Sequence, residues 1–165
     1  PAALHSRSGV IGLLATPGTV GRAYTAQLIA DFASQCCVVS VGSRILAPAI
    51  ESLFWNNTAI DKILLQIKAA LYAHPRSAEM DTVVLACTHF PLIQKPLVEL
   101  MPAISWIDSG EAIARRVMHI IKEFNLPLNS DSEEGNQKVL ILGEKHATPM
   151  LKARLDAANL RLIDY

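Results

Sequence analysis

The sequence predicts an α/β fold: a parallel sheet with helices on both faces, built from repeated strand–helix–strand crossovers. Three observations carry this. Apolar runs of strand length alternate with apolar stripes at helical spacing along most of the chain. Thr82 to Ala86 is a short, largely β-branched apolar run, the pattern of a strand covered on both faces. At two places such a run gives way at once to hydroxyl-bearing residues and a helix start. These are Ala15-Thr16-Pro17-Gly18-Thr19-Val20 and Cys87-Thr88-His89-Phe90-Pro91.

Taken in order, Gly9–Ala15 reads as the first strand. Val20, Tyr24, Leu28 and Phe32 recur every fourth residue and predict one amphipathic helix. Cys36–Val41 is the second strand. Ile60, Ile63, Leu64, Ile67 and Leu71 form the next helical stripe, with Thr58 and Asp61 in capping-box-like spacing. The third strand is Thr82–Cys87. Pro91 suits the first turn of a following helix, which Thr88 or His89 can cap. Ile104–Asp108 is a fourth strand. Ser109 starts a helix marked by Ile113, Val117, Ile120, Ile121 and Phe124, with Glu111 favourably placed near its positive end. The strand Lys138–Gly143, a helix from Thr148-Pro149 to near Asn159, and the strand Leu160–Tyr165 complete the set.

Leu126–Gln137 is the one clear linker, a cluster of Asn, Ser, Asp, Glu and Gly without periodicity. The expected organisation is a front domain over residues 1–108 and a tail over 109–165. Two helices and two strands in that tail are too few to bury their own apolar faces.

The 165 residues suffice for about one domain or slightly more, and with 51 % hydrophobic and 18 % charged residues the chain is a folded one. Fifteen Lys and Arg balance fifteen Asp and Glu, which removes the charge attraction that nucleic-acid binders depend on. No apolar run is long enough to span a membrane. Three cysteines without zinc-ligand spacing argue against a disulfide framework and for a reducing compartment. Without a signal-peptide pattern, a cytoplasmic location is expected. The chain opens at Pro1 rather than Met, as a piece cut from something longer would.

Cys87 stands at a strand's carboxyl end, where open α/β sheets bind ligands. A helix amino terminus and a neighbouring imidazole would favour a reactive thiolate there. An arbitrary strand cysteine is more often plain core, but the polar Thr88 and His89 directly after it argue against burial. In the other turn, Gly18 would let the backbone approach a ligand. Thr16 and Thr19 offer hydroxyls beside exposed helix N–H groups, a place for a carboxylate or phosphate. A plain cap by Thr19 explains that turn about as well when it is taken alone.

Cys36 and Cys37 are adjacent in a strand, point to opposite faces and read as core. His5, His74, His119 and His146 stand isolated among solvated residues, so no metal site is expected. Asp108-Ser109-Gly110-Glu111 is explained by a strand end and a helix cap. Trp55 and Trp106 lack the basic interleaving of a base-stacking surface.

Cys87-Thr88-His89-Phe90-Pro91-Leu92 resembles the second catalytic-cysteine motif of bacterial glutamate racemases, in the aspartate/glutamate racemase superfamily. Ala15-Thr16-Pro17-Gly18-Thr19-Val20 with Tyr24-Thr25, and Asp108-Ser109-Gly110-Glu111-Ala112-Ile113-Ala114, resemble two further segments of that family in its order and spacing. The resemblance implies a cofactor-independent racemase making D-glutamate for peptidoglycan, with two cysteines flanking the substrate Cα. It implies that Cys87 serves the L-glutamate face and that His89 assists its proton transfer. Thr88 would bind the substrate amino or carboxylate group, and Thr16 and Thr19 would sit near the carboxylates. The family's earlier Asp-Ser-Gly and Cys-Asn-Thr motifs do not occur before Cys87, and Ala86 stands where the family commonly has Gly. The chain therefore resembles the C-terminal portion of such an enzyme, with residues 109–165 returning to complete an absent first domain. Alone it would be inactive, and would associate through the tail or the missing domain. The competing readings are another enzyme of the superfamily, such as an aspartate racemase, and a non-catalytic anion-binding domain of the same fold.

Overall fold

A computed structural model describes residues 1–127, 137–141 and 148–163. The chain divides into two compact units, Pro1–Ile50 with Ile60–Ser109, and Glu51–Ala59 with Gly110–Tyr165.

The first unit is built on four parallel strands, β1 (Val10–Ala15), β2 (Cys37–Gly42), β3 (Thr82–Ala86) and β4 (Ser105–Ile107), in the order β2-β1-β3-β4. The all-parallel α/β sheet matches the fold class read from the sequence. Its helices are α1 (Ala2–His5), α2 (Pro17–Val20), α3 (Ala23–Ala33), the start of α4 (Leu46–Asn56), α5 (Asp61–Leu71) and α6 (Gln94–Leu100). Every residue of β1 is buried, because β1 lies between two strands and carries helices over it. On one face of the sheet Leu64, Ile67 and Leu71 of α5 join Val10, Leu14, Val83 and Leu85 in the core. Gly12 lies on this face and is tightly covered: a Cβ there would stand 2.8 Å from Met80 Sδ, 2.8 Å from Val83 Cγ2 and 3.2 Å from Leu71 Cδ2.

Several expectations are corrected. The Val20–Phe32 stripe is not one helix: the chain breaks at Gly21-Arg22 into α2 and α3. Nor is the stripe buried, since Tyr24 is 69 % and Phe32 71 % exposed. Thr58 and Asp61 form no capping box. The cap of α5 is Ile60, without a side-chain bond, because the helix starts at Asp61 and leaves Thr58 outside it. Helix α4 was not anticipated from the sequence, since Pro48 in its first turn resembles a loop proline. Cys36 precedes β2, and both Cys36 and Cys37 are half-buried rather than core. The reason is that β2 is an edge strand with one flank unpaired.

In the second unit are the end of α4, α7 (Gly110–Glu123), α8 (Pro149–Ala157) and a parallel pair, β5 (Lys138–Leu140) with β6 (Arg161–Ile163). Thr148 caps α8, accepting from Leu151 N at 3.2 Å, and its hydroxyl donates to the Trp55 carbonyl. Arg154 lies 4.6 Å from the centroid of the Phe54 ring and donates to Asn57 Oδ1 at 3.4 Å. None of the residues of α7 is buried, and Ile113, Val117 and Phe124 stand exposed. Most of the expected linker (128–136), His146, and the ends of the last two expected strands lie outside the described residues.

Candidate active site

The strands β1 and β3 are hydrogen-bonded neighbours with Ala15 opposite Ala86. Ala15 and Ala86 stand at strand spacing, about 4.8 Å, and Thr16 and Cys87 follow them at the carboxyl edge of the sheet.

On the β1 side the turn is fixed by its own hydroxyls. Thr16 has an extended backbone and caps α2, accepting from Thr19 N at 3.4 Å. The Thr16 and Thr19 hydroxyls lie 3.0 Å apart, and Thr25 Oγ1 donates to the Thr19 carbonyl at 2.6 Å. The cap is thus Thr16 rather than Thr19. A Cβ at Gly18 would meet nothing within 4 Å, so the fold itself does not require glycine there. Gly42, ending β2, is different: a Cβ would stand 3.0 Å from Pro17 Cα and 3.3 Å from Pro17 N. The close approach of β2 to α2 depends on that missing side chain.

On the β3 side, Cys87 is half-buried and its Sγ lies 3.9 Å from His89 Nδ1. The imidazole can accept from the thiol or, protonated at Nδ1, donate to a thiolate. The next residues form a 3₁₀ turn, Phe90–Ile93, before α6. Phe90 N bonds Cys87 O at 3.1 Å, and Phe90 is fully buried, which anchors the turn beneath the cysteine. The expected α-helix capped by Thr88 or His89 is therefore corrected: His89 precedes the turn without a side-chain cap, and Thr88 is exposed. Pro91 and Phe90 close a tight turn here instead of a full helical one.

At the opposite end of β3, Asp81 holds the entry to β1. Its carboxylate accepts from Ser6 Oγ at 2.6 Å, Arg7 N at 2.8 Å, Ser8 N at 2.9 Å and Thr82 Oγ1 at 2.9 Å. Partial burial opposes its charge, but these hydrogen bonds outweigh burial and hold the carboxyl well below the usual carboxylate range.

Four of the five expected site residues fall into two pairs, Thr16 with Thr19 and Cys87 with His89, at the ends of adjacent strands, and the fifth, Thr88, is exposed between Cys87 and His89. Thr25 and Gly42 had no role assigned from the sequence. Gly42 carried a signal, a glycine at a strand end, whereas nothing in the spacing of Thr25 indicates its bond. The other three histidines among the described residues are not isolated: His5 Nε2 lies 2.7 Å from Ser105 Oγ, His74 Nδ1 accepts from Arg76 N at 3.2 Å, and His119 lies 3.4 Å from Glu123. Among the described residues no three His, Cys, Asp or Glu side chains group as metal ligands.

The sequence and the fold both resemble known proteins. Over 134 residues, 79 % of this chain and 50 % of the relative, the sequence is 43 % identical to a glutamate racemase of Sinorhizobium fredii. A glutamate racemase of Actinobacillus pleuropneumoniae is 38 % identical over 135 residues, 81 % of this chain and 49 % of the relative. The chain is related to the glutamate racemases. It spans about half the length of these curated relatives and matches their C-terminal region. The structure of Escherichia coli glutamate racemase, in complex with L-glutamate and the activator UDP-MurNAc-Ala, superposes with TM-score 0.78 at 30 % identity. That match covers 98 % of this chain and 60 % of the other. A Bacillus anthracis glutamate racemase shares the fold with TM-score 0.68 at 19 % identity, covering 99 % of this chain and 60 % of that one. No protein-family model matches the sequence.

Proposed function

We propose that this chain supplies one face of a cofactor-independent, two-cysteine glutamate racemase site. The observation that carries the reading is Cys87 Sγ within 3.9 Å of His89 Nδ1, on the strand beside the one that ends at Thr16. The Cα proton of an amino acid is weakly acidic, so its removal needs a thiolate in a dry pocket and donors that fix the carboxylate. Cys87 is the base or acid on the L-glutamate face, and His89 passes its proton. Thr88 binds the amino or carboxylate group, while the hydroxyls of Thr16 and Thr19 meet a carboxylate. L-Glutamate bound to the E. coli relative supports the choice of substrate.

Racemisation needs a second thiol on the opposite face, and the family's Cys-Asn-Thr motif is absent from these 165 residues. That thiol belongs to a preceding domain, which residues 109–165 complete. The product, D-glutamate, serves peptidoglycan synthesis.

The test uses an enzyme carrying both halves. Cys87→Ser should cut racemisation of L-glutamate, followed by circular dichroism, by orders of magnitude while the fold survives. Normal turnover by a well-folded Cys87→Ser enzyme would refute the assignment. These 165 residues alone should show no turnover at ordinary enzymic rates, roughly 1–1000 per second.

A further inference from the structure

The Thr16–Thr19 hydroxyl pair belongs to α2, a single helical turn of four residues, none of them buried. One turn of helix has almost no stability of its own, so its orientation is set by what holds its two ends. At the near end Pro17 packs against Gly42, where a Cβ would stand only 3.0 Å from Pro17 Cα. At the far end the chain breaks at Gly21-Arg22 before α3 begins. Across that break the Thr19 carbonyl oxygen accepts twice: from Arg22 N at 3.3 Å, a long bond, and from Thr25 Oγ1 at 2.6 Å, a short one. Thr25 is half-buried in the first turn of α3, so its bond ties the four-residue turn to an eleven-residue helix. Thr19 is thus gripped on both sides of its side chain. Its N–H meets Thr16 O at 3.0 Å and Thr16 Oγ1 at 3.4 Å, and its carbonyl meets Thr25. The two hydroxyls of the pair lie 3.0 Å apart and share one proton, which leaves the other for a ligand oxygen.

We propose that Thr25 is a positioning residue for glutamate: acting through the Thr19 carbonyl, it holds the Thr16–Thr19 pair where the substrate carboxylate meets it, which rests on the assignment of that pair to a carboxylate. Thr25 spends its own hydroxyl proton on Thr19 and touches no substrate. Without that bond the turn keeps its Pro17 end against Gly42 and loses its firmest tie to α3, so the free hydroxyl proton is no longer aimed. The effect falls on binding of the carboxylate, away from the thiol of Cys87.

The test uses the enzyme carrying both halves, with racemisation of L-glutamate followed by circular dichroism. Thr25→Val keeps the shape of the side chain and removes the donor. It should raise KM about threefold to tenfold, the effect of one lost hydrogen bond. The carboxylate is charged before and after the Cα proton leaves, so kcat should change by less than about twofold. Thr25→Ser, which keeps the hydroxyl, should restore the wild-type KM. A role in folding alone would instead lower the active fraction, and with it kcat, at unchanged KM. Should Thr25→Val not fold, Thr25→Ala makes the same comparison with Thr25→Ser. A wild-type KM in the folded Val or Ala variant, or a Ser variant no better than either, would overturn the proposal. Thr16→Val separates the proposal from the assignment beneath it. KM raised by Thr16→Val and unmoved by Thr25→Val sinks the positioning role alone, whereas KM unmoved by Thr16→Val sinks the carboxylate assignment as well.

Discussion

Replacing Asp81 by Asn removes one negative charge and one acceptor oxygen from the point where the segment entering β1 is tied to β3. In the native structure one carboxylate oxygen takes the hydroxyls of Ser6 and Thr82, and the other takes the backbone N–H groups of Arg7 and Ser8. An amide can satisfy only one of these pairs. If its oxygen meets the hydroxyls, its NH₂ faces two backbone donors. If it is flipped, the hydroxyls must find other acceptors. Two charge-assisted bonds are lost either way. A net hydrogen bond contributes roughly 0.5–1.5 kcal/mol, and water competes at this half-buried site, so the expected cost is about 1–2 kcal/mol. The pH dependence adds a second signature. The carboxyl is held well below its unfolded value of 3.8. Its contribution is therefore fully present above about pH 4 and is lost as pH falls through the folded pKa. Urea denaturation at pH 7 and pH 3 measures both. The wild-type chain should lose only the first part of this increment between the two, because pH 3 lies below the unfolded value and above the folded one, and Asp81→Asn should show no such loss. Equal acid sensitivity in the two proteins, or an Asn variant as stable as wild type at pH 7, would refute the reasoning.

Gly12→Ala should lower stability by about 1–2 kcal/mol in urea denaturation. Its Cβ would stand 2.8 Å from Val83 Cγ2 on a central strand, and overpacking of about 1–3 kcal/mol exceeds the entropic gain of about 0.4–1 kcal/mol. A neutral or stabilised variant would show that the α5 face can open cheaply. Brief iodoacetamide treatment with mass-spectrometric mapping should label Cys87 ahead of Cys36 and Cys37, and preferential labelling of either of those in folded protein would contradict the thiolate reading. Amide exchange should be faster throughout Gly110–Glu123 than in Val10–Ala15, and size-exclusion with light scattering should show association, because α7 buries no residue. A strict monomer with equal protection in both segments would exclude this.

Strands with continuous apolar runs were legible because burial on both faces leaves a composition that few other environments produce. β1 and β3 begin within one residue of their expected starts. The pairing of the two strand-end turns was legible for a related reason. Thr16–Thr19 and Cys87–His89 are local in sequence, and one parallel register step brings the two turns together. What escaped was non-local or permissive. The exposed Tyr24 and Phe32 have the periodicity of a buried stripe, yet periodicity reports only that a face is apolar, not that something covers it. Pro48 disguised α4, because proline in a first turn and proline in a loop look alike without the flanking contacts. The bonds of Asp81 to Ser6, Arg7 and Ser8 join residues more than seventy positions apart, and no local pattern announces them.

The central position of β1 also has a consequence in time. β1 is the first strand in the sequence, but its two neighbours come later: Cys37 is the partner of Val10, and Thr82, the partner of Ile11, lies about 70 residues downstream. At roughly 5–20 residues per second of synthesis, the Val10–Ala15 segment waits on the order of 4–14 seconds before its second flank can exist. Through that interval the most completely buried strand of the finished protein has at best one edge paired. The nascent chain must keep a six-residue apolar ribbon out of the wrong partnership. Solubility during expression should therefore depend on what shields that ribbon early, more than on the strength of the finished core.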